Sequence, residues 1–236
     1  MKIGWHLLRV KSWVKNGFLF LPAIFSLRLL QWDFMFSVLI GAFIFSLISS
    51  FVYINNDIKD AEEDALHPRK KFRPIAAGLI SKKRAFLIGI GLLILAFCLL
   101  VIDKLPLAFL GIVLTYLILN ILYSFWLKTL PLVELFIVAI NFVLRVLAGC
   151  AIIAVKPSHW ILVVTFFLAL LMVVVKRKSE ITQLQGNAEN HRAVLKAYSV
   201  GFLNTLTYIA ATITIAFSIA AVLQLLKKTT AGQESA

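Results

Sequence analysis

The sequence predicts an all-α membrane protein, a polytopic bundle of about seven transmembrane helices. Hydrophobic residues make up 61% of the 236 residues, and the mean hydropathy is +0.94, which is too apolar for a soluble domain of this length. Several apolar runs approach the ~20 residues that a helix needs to cross a bilayer. Lys and Arg concentrate in alternate loops, as the positive-inside rule requires of a multispanning protein.

Seven apolar segments underlie this fold prediction. The first is the weakest, because Pro22 and Arg28 interrupt it. We find no internal repeat or linker, so we expect a single membrane domain over residues 1–236. The segments are residues 17–31, 34–55, 85–102, 106–126, 131–155, 159–175 and 200–226.

The distribution of basic residues predicts the orientation. With the N-terminus in the cytoplasm, 18 of the 24 Lys and Arg residues fall on the inside and five fall on the outside, and Arg145 lies within a span. Two inside loops, 56–84 and 176–199, hold most of the charged residues. Loop charges near anionic lipid account for most of the net charge of +13, so we do not expect nucleic acid as a partner.

Three carboxylates follow the second segment. If that helix continues into the cytoplasm, the spacing of Asp57, Asp60 and Asp64 puts them on one face. Like charges on one face repel unless a cation bridges them, and Mg²⁺ suits a few carboxylates plus phosphate oxygens. We therefore predict Mg²⁺ bound by these three; the alternative is a solvated acidic helix end. The same face continues below them as a polar stripe of Ser46, Ser50 and Tyr53.

A basic stretch lies between Pro68 and Pro74. Both prolines disfavour helix in the preceding residue, so the chain must turn and can fold Lys70, Lys71 and Arg73 back towards the carboxylates. Cations beside a magnesium site suit a phosphorylated ligand, because they bind the oxygens that the metal leaves free. The alternative is an ordinary positive-inside loop.

Further candidates lie at the ends of later segments. Lys176, Arg177 and Glu180 can share one helix face, either as a second phosphate clamp or as cations that snorkel at a helix end. Arg145 within the fifth segment requires a partner or a water-filled cavity, and it either binds substrate or locks the bundle. Other polar residues near these positions are Glu134, Asn141, Tyr123 and Lys128.

These motifs resemble those of a known family. Asn56-Asp57-x-x-Asp60-x-x-x-Asp64, continued by His67-Pro68-x-Lys70-x-x-Arg73-Pro74, is similar to the first aspartate motif of the UbiA-type intramembrane prenyltransferase superfamily. Where aromatic prenyltransferases carry a second Asp-rich motif, this chain has Lys176-Arg177-x-x-Glu180, which resembles the decaprenyl-phosphate phosphoribosyltransferase branch. The same branch is indicated by Trp13-Val14-Lys15-Asn16, Tyr123-Ser124-x-x-Leu127-Lys128 and Leu144-Arg145-x-x-Ala148-Gly149, so that the resemblance covers about residues 9–195.

The resemblance implies a reaction and a set of site residues. It implies that the donor is phosphoribosyl pyrophosphate, the acceptor is polyprenyl phosphate, the cofactor is Mg²⁺, and the active site faces the cytoplasm in a bacterial-type inner (plasma) membrane. The catalytic and metal residues implied are Asp57, Asp60 and Asp64. The substrate-binding residues implied are Lys15, Asn56, Lys70, Arg73, Tyr123, Lys128, Arg145, Lys176, Arg177 and Glu180.

Two alternative functions and one departure accompany this interpretation. A prenyltransferase would instead take an isoprenoid diphosphate as donor and an aromatic or lipid molecule as acceptor. A transporter or lipid-binding protein would usually show polar or broken helices at the bilayer midplane, whereas polar residues here gather at one face. Members of the resembled family usually have nine spans, so we expect this sequence to lack the last two helices of the family, as a short variant, a fragment, or part of a homo-oligomer that completes its wall.

Overall fold

The computed structural model describes residues 2–26, 31–183 and 193–233. Nine α-helices occur in these ranges, together with an N-terminal 3₁₀ helix at Val10–Phe20 and short 3₁₀ turns at Lys70–Phe72, Leu127–Thr129 and Ala193–Ala197. The α-helices are α1 (Lys2–Leu7), α2 (Leu21–Phe25), α3 (Trp32–Lys59), α4 (Ala61–Leu66), α5 (Lys82–Ile102), α6 (Leu107–Phe125), α7 (Val133–Ile152), α8 (His159–Gln183) and α9 (Val200–Gln233).

Six of these helices are long and apolar enough to cross a membrane, namely α3 and α5 to α9. The all-α membrane fold predicted from the sequence is therefore confirmed. The first of the seven predicted segments does not form such a helix, because its described part divides between the N-terminal 3₁₀ helix and α2. Its residues 27–30, like 184–192 of the predicted second inside loop, lie outside the described ranges.

The N-terminal 3₁₀ helix runs antiparallel to α3. Trp13 Nε1 donates to Ser50 Oγ at 2.9 Å, and Asn16 Nδ2 donates to Ser46 Oγ at 2.8 Å, so residue numbers rise along one element as they fall along the other. A 3₁₀ helix rises ~2.0 Å per residue, and an α-helix rises ~1.5 Å. The 11-residue 3₁₀ helix is therefore roughly 22 Å long.

The chain divides into two compact units, which we describe separately. The first comprises Met1–Lys128 and Leu144–Val155, and the second comprises Thr129–Val143 and Lys156–Ala236. In the first unit, α3 packs against the N-terminal 3₁₀ helix, α5 and α6 around a buried apolar core. In the second unit, α8 packs along α9. The single domain predicted over residues 1–236 stays a prediction.

Arg145 lies at the centre of a buried polar network in the first unit. Its side chain is 2% exposed, and its Nε donates to Asn16 Oδ1 at 2.9 Å while its Nη2 donates to the Tyr116 hydroxyl at 3.2 Å. The guanidinium also lies 5.2 Å from the centre of the Phe45 ring. Of the two roles considered for Arg145, these contacts fit the locking role, because they join α7, α6 and the N-terminal 3₁₀ helix.

Gly149 allows α7 to approach the N-terminal 3₁₀ helix closely. A Cβ atom at this position would collide with the carbonyl group of Leu19, which is backbone and has little room to move. The contact therefore requires glycine, and it holds the 3₁₀ helix in the position from which its N-terminal end reaches the carboxylates.

Candidate active site

The carboxylates lie where α3 ends. Helix α3 continues past Asp57 to Lys59, Asp60 turns the chain with φ −88° and ψ 6°, and α4 then carries Asp64. Asp57 and Asp64 have side chains that are only 3% exposed, whereas that of Asp60 is 28% exposed. The prediction that one continuous helix presents all three carboxylates is therefore wrong, because the turn at Asp60 points its side chain to a different partner.

The basic stretch folds back onto two of the carboxylates. Arg73 Nη1 lies 3.0 Å from Asp57 Oδ1 and also bonds to Asp64 Oδ2, and Lys70 Nζ lies 3.8 Å from Asp64 Oδ1. The turn is ordered locally, since His67 Nδ1 accepts hydrogen bonds from the backbone N–H groups of residues 69 and 70. Lys71, which the sequence grouped with these cations, lies over the ring of Phe72 at 5.3 Å.

Arg9 completes this group and was not predicted from the sequence. Its Nε donates to Asp57 Oδ2 at 3.0 Å and its Nη2 bonds to Asp57 Oδ1, which makes a bidentate pair. The guanidinium also lies 5.2 Å from the centre of the Tyr53 ring, and Lys15 Nζ lies 5.9 Å from the same ring. No spacing rule reveals the pair, because 48 residues separate Arg9 from Asp57.

A second set of contacts joins the end of α3 to the end of α6. Asp60 Oδ1 pairs with Lys128 Nζ, and Asn56 Oδ1 accepts a hydrogen bond from Ser124 Oγ. Lys59 Nζ donates to the Ser124 carbonyl at 2.6 Å. The structure thus brings the predicted residues Asn56, Asp60 and Lys128 together. Tyr123, next in sequence to Ser124, is partly buried in the last turn of α6.

The Asp57 and Asp64 carboxylates fit a Mg²⁺ ion as a pair. Oxygens of both contact one atom, Arg73 Nη1, so they converge on a single positive centre. Magnesium sites commonly use one or two carboxylates and complete the octahedron with water and substrate phosphate oxygens. In the described part of the chain, no group of three or more acidic, His or Cys side chains is arranged to hold a metal, and Asp60 stands apart from the pair.

The charges around the pair favour an anionic ligand. Two buried carboxylates are surrounded by three cations, namely Arg9, Arg73 and Lys70. Buried carboxylates need such compensation, because desolvation of an unpaired charge costs several kcal/mol. The excess of positive charge, which a divalent ion would increase, suits a substrate that carries several phosphate groups.

The second unit holds a triad of charges, two of which are buried. Arg177 donates through Nε and Nη2 to the two oxygens of Glu134 at 2.7 and 2.9 Å, and through Nη1 to Glu180 Oε2 at 2.7 Å. The side chains of Glu134 and Arg177 are 0% and 4% exposed. The guanidinium is therefore held by two carboxylates, whereas Lys176, the neighbouring cation of the predicted clamp, is exposed.

Glu62 marks the solvent side of α4. It pairs with Lys82 Nζ at 3.0 Å, and its side chain is 91% exposed. The hydrogen bond from Lys82 lowers the pKa of Glu62 below its ordinary value. The exposed pair does not involve Asp57 or Asp64.

Comparisons with known proteins agree with this architecture. The decaprenyl-phosphate phosphoribosyltransferase of Corynebacterium glutamicum is 31% identical over 212 residues, which cover 87% of this chain and 62% of that protein. The enzyme of the same name from Mycobacterium tuberculosis strain H37Rv is 30% identical over 211 residues, with 87% of this chain and 68% of that protein covered. This chain therefore spans somewhat less than two thirds of the Corynebacterium protein.

A solved structure shares the fold. The UbiA homolog from Archaeoglobus fulgidus bound to GPP and Mg²⁺ superposes with a TM-score of 0.74 at 21% identity, over 93% of this chain and 77% of that chain. The model of the UbiA prenyltransferase family matches residues 19–233, which is nearly the whole sequence. The chain belongs to the UbiA prenyltransferase family.

Proposed function

We propose that this chain is a Mg²⁺-dependent transferase that moves 5-phosphoribose from phosphoribosyl pyrophosphate to polyprenyl (decaprenyl) phosphate and releases pyrophosphate. Its product would serve as a precursor of cell-wall arabinose. The observation that carries the proposal is the excess of cations over carboxylates around Asp57 and Asp64. This donor and acceptor together bring more phosphate groups than a prenyl diphosphate does, and the relatives named above support the same choice.

The first step of the proposed reaction is binding of the donor diphosphate. Asp57 and Asp64 would hold Mg²⁺, which as a Lewis acid neutralises charge on a departing pyrophosphate. Arg73 and Lys70 bind diphosphate oxygens through charge-assisted hydrogen bonds. We retain Asp60 as a third ligand because the family motif includes it. To bind the metal, its carboxylate would have to release its ion pair with Lys128.

The chemical step needs no strong base. The bond between the anomeric carbon of ribose and the diphosphate oxygen breaks, and its electron pair leaves with pyrophosphate. An oxygen of the lipid phosphate forms the new bond to the same carbon. This oxygen is already anionic, so no proton has to be removed from the nucleophile. The residues of the site therefore act by positioning and charge neutralisation.

The 5-phosphate of the donor distinguishes it from a prenyl diphosphate. From the family resemblance alone, we propose Lys176 as the cation that binds this phosphate, because Arg177 is held by Glu134 and Glu180. Lys176→Ala is expected to raise the KM for phosphoribosyl pyrophosphate roughly tenfold, the effect of losing one charged hydrogen bond. Lys178→Ala is the matched control, since two residues along a helix place it on another face.

A direct assay tests the proposed activity. Purified protein is incubated with ribose-labelled phosphoribosyl pyrophosphate, polyprenyl phosphate and Mg²⁺, and the lipids are extracted. We expect label in the lipid fraction only when both substrates and Mg²⁺ are present. If the protein ignores phosphoribosyl pyrophosphate and instead transfers a prenyl chain from its diphosphate to an aromatic acceptor, the prenyltransferase alternative replaces the proposal.

A further inference from the structure

The ring of Tyr53 lies next to two cations beside the carboxylate pair. Arg9 and Lys15 approach its centre to 5.2 and 5.9 Å. Tyr53 precedes Asp57 by four residues on α3, so the two share a helix face and lie ~6 Å apart along the axis. These two cations therefore extend the group of charged side chains along α3. Successive contacts form one row, which runs through Lys15, Tyr53, Arg9, Asp57, Arg73, Asp64 and Lys70.

The Lys15 end of this row lies on the membrane side of Asp57. The contacts of Trp13 with Ser50 and of Asn16 with Ser46 place the backbone of Lys15 seven to eleven residues before Asp57 along α3. That distance is ~10–16 Å along the helix. The ammonium group nevertheless reaches the Tyr53 ring, so the side chain extends towards the carboxylates as a snorkelling lysine does.

We propose that Lys15, Arg9 and Tyr53 form the subsite for the phosphate group of the lipid acceptor. The inference rests on the proposed function, which places the donor diphosphate at Asp57, Asp64 and Arg73. A polyprenyl chain anchors the acceptor in the bilayer, so its phosphate approaches from the membrane side, whereas the soluble donor enters from water. Two cations next to one ring match a phosphate monoester that carries up to two negative charges.

Arg9 lies where one cation can interact with both the acceptor phosphate and the donor phosphates. It bonds Asp57 on one side and lies over Tyr53 on the other, so within the acceptor subsite it is the cation next to the proposed donor subsite. The attacking phosphate and the leaving diphosphate must lie on opposite sides of the anomeric carbon for an in-line displacement. A cation at that boundary attracts the acceptor phosphate and reduces its repulsion from the donor phosphates.

Lipid binding without donor tests the subsite. Wild-type protein in nanodiscs is titrated with polyprenyl phosphate and, separately, with the uncharged polyprenol of the same length. We expect the wild-type protein to bind polyprenyl phosphate more tightly than polyprenol. Lys15→Met is expected to lower this preference roughly tenfold, whereas Lys15→Arg is expected largely to retain it. Lys11→Met, an exposed lysine of the same 3₁₀ helix, is expected to leave the preference unchanged. Tyr53→Leu is expected to lower it, and Tyr53→Phe to keep it.

Kinetic measurements separate this inference from the proposed function. Lys15→Met is expected to raise the KM for polyprenyl phosphate and to leave the KM for phosphoribosyl pyrophosphate unchanged. An unchanged preference in a folded Lys15→Met protein, or a rise only in the donor KM, overturns the subsite. A wild-type protein that prefers the lipid phosphate, loses that preference in Lys15→Met and yet transfers nothing from phosphoribosyl pyrophosphate contradicts the proposed function and supports the subsite.

Discussion

Removal of Glu134 is expected to destabilise the second unit strongly. Glu134→Leu introduces an apolar side chain of similar size and removes the two oxygens that accept hydrogen bonds from Nε and Nη2 of the buried Arg177. Breaking a buried ion pair from one side typically costs about 3–5 kcal/mol. The bond from Arg177 to Glu180 persists in the variant, so we expect a loss near the lower end, about 3 kcal/mol.

Equilibrium unfolding in detergent micelles with increasing sodium dodecyl sulfate, followed by circular dichroism, measures this loss. The double variant Glu134→Leu/Arg177→Met removes both charges and is expected to recover most of the stability. Glu62→Leu is the control, because its pair with Lys82 is exposed, and we expect no measurable change. A Glu134→Leu protein within about 0.5 kcal/mol of wild type would refute the argument that loss of the Glu134 acceptor at the buried guanidinium dominates.

Other changes test the site, the packing and the topology. Asp57→Asn is expected to abolish turnover and weaken Mg²⁺ binding while the protein stays folded in detergent; an unchanged rate with unchanged Mg²⁺ dependence contradicts the metal assignment. Gly149→Ala is expected to destabilise the first unit by about 1–3 kcal/mol through collision with backbone, whereas Gly111→Ala in α6, where a Cβ meets nothing within 4 Å, should be neutral or stabilising in the same unfolding assay. Cysteines introduced into loop 56–84 are expected to resist an impermeant reagent in intact cells, and external labelling there would reverse the predicted orientation.

The local part of the site was predictable from the sequence. Sixteen residues separate Asp57 from Arg73, and the flanking prolines force the turn that joins them. The spacing argument failed at Asp60 because it assumed a continuous helix. The periodicity of residue types along the sequence does not reveal a turn made by a single residue. Side chains that meet across long separations, such as Arg9 with Asp57 or Glu134 with Arg177, depend on how the helices pack, and no spacing in the sequence encodes that.

The count of membrane helices illustrates a second limit. Sequence windows assume the rise of an α-helix, for which ~20 residues are needed to cross the hydrocarbon. The described part of the first predicted segment instead divides between the end of the 3₁₀ helix Val10–Phe20, which rises more per residue, and the short helix α2. The 3₁₀ helix contacts α3 through Trp13 and Asn16, which precede the predicted segment and which no hydropathy window includes in it.

The buried Arg145 network has a consequence for how the chain enters the membrane during synthesis. An arginine near the centre of an isolated membrane helix costs about 2.5–3.5 kcal/mol on insertion scales. Its partners Asn16 and Tyr116 precede it by 129 and 29 residues, so the ribosome makes both before α7. Until α7 arrives, Asn16 already has the Ser46 hydroxyl as a partner. The order of synthesis therefore places the acceptors in the bilayer before the guanidinium that requires them.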